Sequence, residues 1–503
     1  MTELRGRRAH VIPGSAQPAT IADPDRPGGV SKVWPSNPPP AATGTATALP
    51  VEIEGERLPI LSWTPDLEPG ALAQARNCAN LPPAFHHVAV MADGHQGYGV
   101  PIGAVLAFKG ALSPYAVGND IGCGMALVAT ALLRQDLLGR VPTRSGQRGP
   151  VARDDIMTSV QHSIPAGADR HHRRGAADPA VEQLVDKAFD AMELAAEASH
   201  IALSTSQSTK ADRGQRLTRA DLAGRARDQA GTLGSGNHFI ELLIGPDEDM
   251  WVLIHSGSRG LGGLVCANFH RMALAYCAEV GHQLPDPGLA WLPVSEGTDS
   301  GDRWTTVGRS YRVAMQAALE YAKLNRRRML EAVAAVVERR FPNAVRWDEA
   351  VDIHHNDATF EQHFGEWVWV HRKGAVKAAT GEPTITPGSM GTSSMLGRGL
   401  GNPASYCSAA HGAGRALSRT RARRELSLER QLAAIRAVGG KVFAASEPGV
   451  LDEMPDAYKN LDEVMANQAD LVQPVRRFTP LATYKGADKP RGRGGRWRPA
   501  EER

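Results

Sequence analysis

The chain has 503 residues, 42 % of them hydrophobic, and its 57 Lys+Arg against 54 Asp+Glu leave a net charge of +3. That length can bury a sizeable core, and the near balance of charge excludes a surface that is wholly a basic sleeve for nucleic acid. No stretch approaches the ~20 consecutive apolar residues that span a bilayer.

MTELRGRRAH runs into Pro, Gly and Ser rather than an apolar segment, so no secretory signal is expected. Residues 1–50 are crowded with Pro, Ala, Gly and Thr and read as a flexible leader. Globular sequence is expected over 51–486. Helical periodicity occupies about 179–203, 310–341 and 425–438. HHVAVMA, GAVLAF, WVLIH and EWVWVH read as buried strands, and the Arg- and Gly-rich 143–175 as a surface loop. Residues 487–503 read as a basic, disordered tail. Five cysteines are scattered singly, with no disulfide-framework spacing, which points to a reduced, cytoplasmic chain.

Glycine and histidine concentrate in short blocks directly after the strand-like runs. These are MADGHQGYGVPIG, AVGNDIGCGM, GTLGSGNHFIEL, LIHSGSRGLGG, DIHHNDAT, VHRKGAV, TPGSMGTSSM and SAAHGAGRALSR. Glycine lets a backbone approach a ligand closely but costs entropy where nothing requires it. So many blocks of this kind point to a functional site mounted on strand ends.

Among them, Asp120 and Cys123 offer a carboxylate and a thiol three residues apart, and His238, His255 and either His354 or His355 offer imidazoles. A bridging thiolate would give two ions three protein ligands apiece and leave open positions, the mark of a catalytic site. Ligand type alone favours zinc. No GxxxxGK[ST] occurs, which disfavours a P-loop nucleotidase.

GNDIGCGM, GTLGSGNHFIEL, HSGSRG, HRKGA, PGSMGT and AHGAGRALSR, in that order, resemble the RtcB family of RNA-splicing ligases from about Pro59 to Gly486. The resemblance implies an α+β fold, with sheets packed inside a helical coat in one large catalytic domain. It implies an enzyme that joins RNA 3′-phosphate or 2′,3′-cyclic phosphate ends to 5′-hydroxyl ends. GTP and two manganese ions are the implied cofactors, RNA the substrate, and an archease-like helper a possible partner, in tRNA splicing or RNA repair.

The implied metal ligands are Asp120, Cys123, His238, His255 and His355, with His355 chosen over His354 because it precedes Asn. Cys123, His238 and His255 would hold one ion, and Asp120, Cys123 and His355 the other. The implied nucleophile is His411, which would carry GMP on a ring nitrogen. Imidazole is neutral near pH 7, whereas lysine must first lose a proton. Nucleotide contacts would fall on Asn237, His238, Phe239, Ile240, Glu241, His355, Asn356, Pro387, Gly388, Ser389, Met390, Ser394, His411, Gly412, Ala413, Gly414 and Lys485. Arg259, Arg415 and Arg419 would hold RNA phosphate, a role suited to forked guanidinium groups, with further charge from His171 to Arg174.

The chain departs from the family at Ala92-Asp93-Gly94-His95, where Pro-Asp-x-His is usual, and at Gly118-Asn119 before Asp120. It also runs 17 residues past Gly486 (503 minus 486). The main alternative to sealing is a guanylyltransferase that caps 3′-phosphate ends. A non-catalytic nucleotide-binding protein leaves the nucleophile unexplained, and a phosphoesterase leaves PGSM and HGAGR without a use.

Overall fold

Five neighbouring strands of one antiparallel sheet bring distant parts of the chain to a single edge. Their order is Val345–His354, Gly124–Leu133, Asp249–Ser256, Phe239–Ile244 and Val472–Lys485, continued by Ser394–Gly399 and Pro383–Pro387. Because neighbours run in opposite directions, chain ends and chain starts alternate along that edge. The register places His354 and Ser256 opposite Gly124, His255 opposite Phe239, and Phe239 opposite Lys485.

One face of this sheet, with Ala126, Val128, Ile240 and Ile254, packs under the helices Ala152–Ser163 and Arg303–Glu338. On the other face, Phe239, Trp251 and Leu253 meet Ile385, Leu396 and Phe478 from the far strands, so the sheet curls over its own core. A second sheet runs Asn356–His363, Glu366–Lys373, Val100–Phe108, Ala84–Tyr98, Ile60–Ser62 and Val51–Ile53. Helices Pro69–Ala79, Pro179–Ser199, Arg219–Gln229 and Arg259–Glu279 cover one of its faces. This is the expected α+β architecture of sheets within a helical coat.

The computed structural model describes residues 49–486 except 55–56, 143–147, 168–177, 208–214, 296–301 and 445, together with the paired strands Ala19–Ala22 and Val30–Val33. Most of the expected leader, all of the expected tail and the His171–Arg174 cluster lie outside the described residues. No described helix is long and apolar enough to cross a membrane.

All four expected strands form, within Ala84–Tyr98, Val100–Phe108, Asp249–Ser256 and Glu366–Lys373. The first expected helix is Pro179–Ser199, capped by the Asp178 carboxylate. The second starts earlier than expected, at Arg303, where Asp302 Oδ2 accepts the Thr305 N–H at 2.9 Å. The third is Leu428–Ala437, capped by Ser427, and a separate short helix, Arg419–Glu425, precedes it.

The stretch 143–175 is not simply a loop. It contains the strand Arg148–Val151 and the helix Ala152–Ser163, whose Ile156, Met157 and Val160 are buried. Arg259–Glu279 escaped the periodic reading because it is buried nearly all round, which erases an amphipathic stripe.

Candidate active site

The Asp120–Cys123 turn is held by backbone bonds to the turn at His355. Cys123 O accepts the His355 N–H at 2.9 Å, Asn356 O accepts the Gly122 N–H at 2.8 Å, and Asn356 Nδ2 donates to Asp120 O at 3.1 Å. Gly122 is in the left-handed region (φ 71°), and a Cβ there would lie 2.9 Å from Ala322 Cβ on the long helix. Only glycine fits this turn.

On that frame the five candidate ligands converge. His238 Nε2 lies 2.9 Å from Asp120 Oδ2 and 3.5 Å from Cys123 Sγ. His255 Nε2 lies 3.3 Å from the same sulfur and 3.0 Å from His355 Nε2. His238 Nδ1–H donates to Leu233 O at 2.9 Å, which turns its Nε2 lone pair inward. His354, by contrast, is half exposed and faces Asp357, so His355 is the inner histidine.

Burial holds the His255 and His355 imidazoles well below their usual range, neutral and able to donate lone pairs. It pushes the Cys123 thiol well up, with Asp120 adding to the effect. Burial would also raise the Asp120 carboxyl, but the hydrogen bond and charge of His238, backed by Arg259, bring it down to about 2. Facing imidazole nitrogens, a thiol and an ionised carboxylate make a donor set that fits divalent cations.

Distances group the ligands as Asp120–Cys123–His238 and Cys123–His255–His355, each with ligand atoms within 4.8 Å of one another. Relative to the expected partition, His238 and His355 change places. Cys123 is the shared member in both.

A cavity of about 540 Å³ opens beside this cluster. Asn237, Phe239, Glu241, His255, Pro387–Met390, His411–Gly414 and Lys485 line it. Of the expected nucleotide contacts, Ile240 and Ser394 do not. Alternation along its strand puts Ile240 into the helix-covered core, and Ser394 is a buried strand residue paired with Pro387 and Phe478. His238, His355 and Asn356 belong to the ligand cluster and the turn that supports it rather than to the cavity wall.

His411 follows the short strand Ser408–Ala410, and its ring centroid is 4.5 Å from that of His355. Its Nδ1 lies 2.6 Å from Asp93 Oδ2, a close approach rather than an aligned hydrogen bond. The same carboxylate oxygen accepts the His411 and Gly412 backbone N–H groups at 3.2 and 3.3 Å. Asp93 is fully buried, so it fixes the ring and leaves Nε2 as the available lone pair. Gly414 (φ 72°) brings its backbone against Asp93 O, where any Cβ would clash. His95 lines the cavity on the far side, its Nδ1 2.9 Å from Asp93 O, and burial lowers it to about 4.

Sequence reasoning missed Asp93 as a site residue although it stands in the ADGH block, where the histidine-adjacent carboxylate was the available signal. It also missed Glu453, which has no glycine or histidine neighbour to mark it. Glu453 is 3 % exposed and is held down at about 2: burial would raise it, but Lys485, Arg419 and Arg415 outweigh that.

Two of the arginines expected to hold RNA phosphate, Arg415 and Arg419, line the cavity and meet these carboxylates. Arg415 donates to Glu453 Oε1 at 3.1 Å and to Asp452 O at 2.7 Å, and Arg419 lies 2.8 Å from Asp452 Oδ2 and 2.6 Å from Glu453 Oε1. Their guanidinium groups are committed to buried carboxylates. Arg259 differs: its Nε makes a long hydrogen bond to Thr232 Oγ1, 3.4 Å.

The family profile described as "tRNA-splicing ligase RtcB" matches residues 74–486. The chain belongs to the RtcB family. The RNA-splicing ligase RtcB of Escherichia coli K12 is 37 % identical over 438 residues, covering 86 % of this chain and 98 % of that protein. Its Mycobacterium tuberculosis namesake is 34 % identical over 468 residues, covering 82 % and 100 %. The tRNA-splicing ligase RtcB of Nanoarchaeum equitans is 32 % identical over 470 residues, covering 83 % and 92 %. The candidate site is thus assembled across nearly the full matched length, from Asp93 to Lys485.

Proposed function

We propose that this RtcB-family ligase joins RNA 3′-phosphate or 2′,3′-cyclic phosphate ends to 5′-hydroxyl ends through a GMP–histidine intermediate. The observation that carries this reading is His411, braced by buried Asp93 on one side and by the ligand cluster on the other, in the wall of the cavity. His411 Nε2 forms a bond to the α-phosphorus of GTP as the bond to the bridging oxygen breaks and pyrophosphate leaves. An RNA 3′-phosphate oxygen then takes the GMP and frees the ring nitrogen, giving a 3′-pp-G end. A 5′-hydroxyl attacks that 3′-phosphorus in line, and GMP departs. A 2′,3′-cyclic phosphate is first opened to the 3′-phosphate by water.

Two manganese ions held by Asp120, Cys123, His238, His255 and His355 would neutralise the charge that develops on the reacting phosphates. Arg259, beside Asp120, is the guanidinium left to meet an RNA phosphate. Asn237, with the Pro387–Met390 and His411–Gly414 loops, faces the nucleotide. Glu241 accepts from the two adjacent N–H groups on the guanine edge, and Lys485 supplies a donor beside it.

This base contact predicts a pH dependence. Burial pushes the Glu241 carboxyl up to about 7, with the Thr483 hydroxyl (2.8 Å) and Lys485 countering only in part. Only the ionised form accepts two N–H groups. GTP affinity should therefore fall by up to about tenfold per pH unit below 7. The stability of the nucleotide-free protein runs the other way. Because the folded group holds its proton longer than the unfolded one, stability is lost as pH rises from 4.5 through 7. Calorimetric GTP titration between pH 5.5 and 8 reads the effect, and Glu241→Gln should flatten it. A wild-type profile already flat would remove Glu241 from base recognition.

Sealing rather than capping is the reading adopted, because the cavity wall continues past His411 to Glu68, His95 and Gln96, beyond the residues assigned to the nucleotide. A single turnover of GMP-loaded enzyme on a broken stem-loop decides it. Product of summed length is expected. Accumulation of unsealed 3′-pp-G beside an annealed 5′-hydroxyl would establish capping instead.

A further inference from the structure

Asn325 and Arg326 sit side by side in the middle of the long helix Arg303–Glu338, fully buried. Both oppose the local rules. Asparagine is a poor helix-interior residue, and a buried guanidinium is costly unless every donor is matched.

Here the donors and acceptors are matched by the loops that carry the ligand cluster. Asn325 Oδ1 accepts the Gly231 and Thr232 N–H groups at 2.7 and 3.2 Å, which fixes the orientation of its amide. Its Nδ2 donates to Thr232 O, Ser256 Oγ and Gly257 O at 3.3, 3.2 and 3.1 Å. Ser256 Oγ passes the contact on to Leu233 O at 3.1 Å, the same carbonyl that accepts His238 Nδ1–H.

Arg326 forks onto Asp352, Nε to Oδ2 at 3.0 Å and Nη2 to Oδ1 at 2.6 Å. Its Nη1 donates to Gly122 O at 2.7 Å and Ser256 O at 3.1 Å. Gly122 adjoins Cys123, Ser256 adjoins His255, and Asp352 lies three residues before His355. One turn of one helix is therefore tied to the segments bearing every candidate ligand. Asp120 is included, because it packs against Gly257.

We propose that Asn325 and Arg326 are positioning residues for the cation centre, holding its loops at the spacing two divalent ions require. They touch neither ion nor substrate and act through the carbonyls and hydroxyl they hold. The proposal rests on reading the cluster as a two-cation site.

The test is titration of metal-free protein with Mn²⁺ alone, by calorimetry, alongside the thermal midpoint of the same samples. Arg326→Lys keeps a cation but loses the fork, and Asn325→Ser loses the amide. Both should bind Mn²⁺ ten- to a hundredfold more weakly at temperatures where they are fully folded. Arg327→Lys, on the exposed side of the same helix and paired with Glu331, should bind as wild type does. Ser256→Ala deletes one hydroxyl, so it keeps the test open if a helix variant fails to fold, and it too should weaken binding.

Folded variants that bind two Mn²⁺ with wild-type affinity, merely melting earlier, would reduce the pair to a stabilising role and overturn the proposal. A wild-type protein that binds no Mn²⁺ would instead overturn the two-cation reading beneath it.

Discussion

His411→Ala should abolish the covalent protein–GMP adduct while leaving metal content unchanged. His411 is outside both ligand groups, and its ring meets the cluster only through contact with His355. Removing it deletes the nucleophilic nitrogen without deleting a donor to either ion. The residual adduct in radiolabelled GTP and manganese should fall below detection, because the ring braced by the Asp93 carboxylate is gone. The nearest rival is His95, whose Nδ1 is turned to Asp93 O. An adduct that persists in His411→Ala and disappears when His95 is also removed would move the chemistry to His95.

Cys123→Ala should cost the protein both metal ions rather than one. The sulfur is within reach of His238 and His255 alike, and Cys123 is the member common to both ligand groups. The substitution leaves each group with two protein ligands. His238→Ala removes a donor from one group only and should leave about one ion. Elemental analysis of protein purified in manganese compares the two. A Cys123→Ala variant with a full complement would make the thiol a packing residue and the shared-ligand arrangement wrong.

Much of this site was legible because its residues sit in glycine blocks after strands. Strand ends are positions that a sequence marks twice, by the apolar run and by the turn that follows. His255 and His355 carry that double mark, whereas Cys123 and His238 stand directly before strands, and the structure brings all four together. What was not legible depends on long-range pairing. Arg415 and Arg419 look like phosphate ligands beside His411, yet Asp452 and Glu453, more than thirty residues on, take up their donors. Ile240 lies between two cavity residues but points to the opposite face, which strand alternation alone foretells. Arg219–Gln229 was missed despite a Thr218/Asp221 capping box, because its short apolar face gives a weak period. Asn325 and Arg326 carried no local signal at all. In a helix they read as surface residues, and only the loops folded over them make them central.

The strand Val472–Lys485 lies in the interior of the larger sheet, between Phe239–Ile244 and Ser394–Gly399, although it is among the last segments of the described chain to be synthesised. Until it leaves the ribosome, the sheet exists as two halves with unpaired backbone along both facing margins. Such margins invite pairing with other chains. Closing the Phe239–Ile244 margin requires contacts across more than two hundred residues, which makes for slow folding. A nascent or C-terminally clipped molecule would therefore carry the candidate ligands beside an open sheet margin. Ribosome-bound or truncated species should aggregate before they misreact.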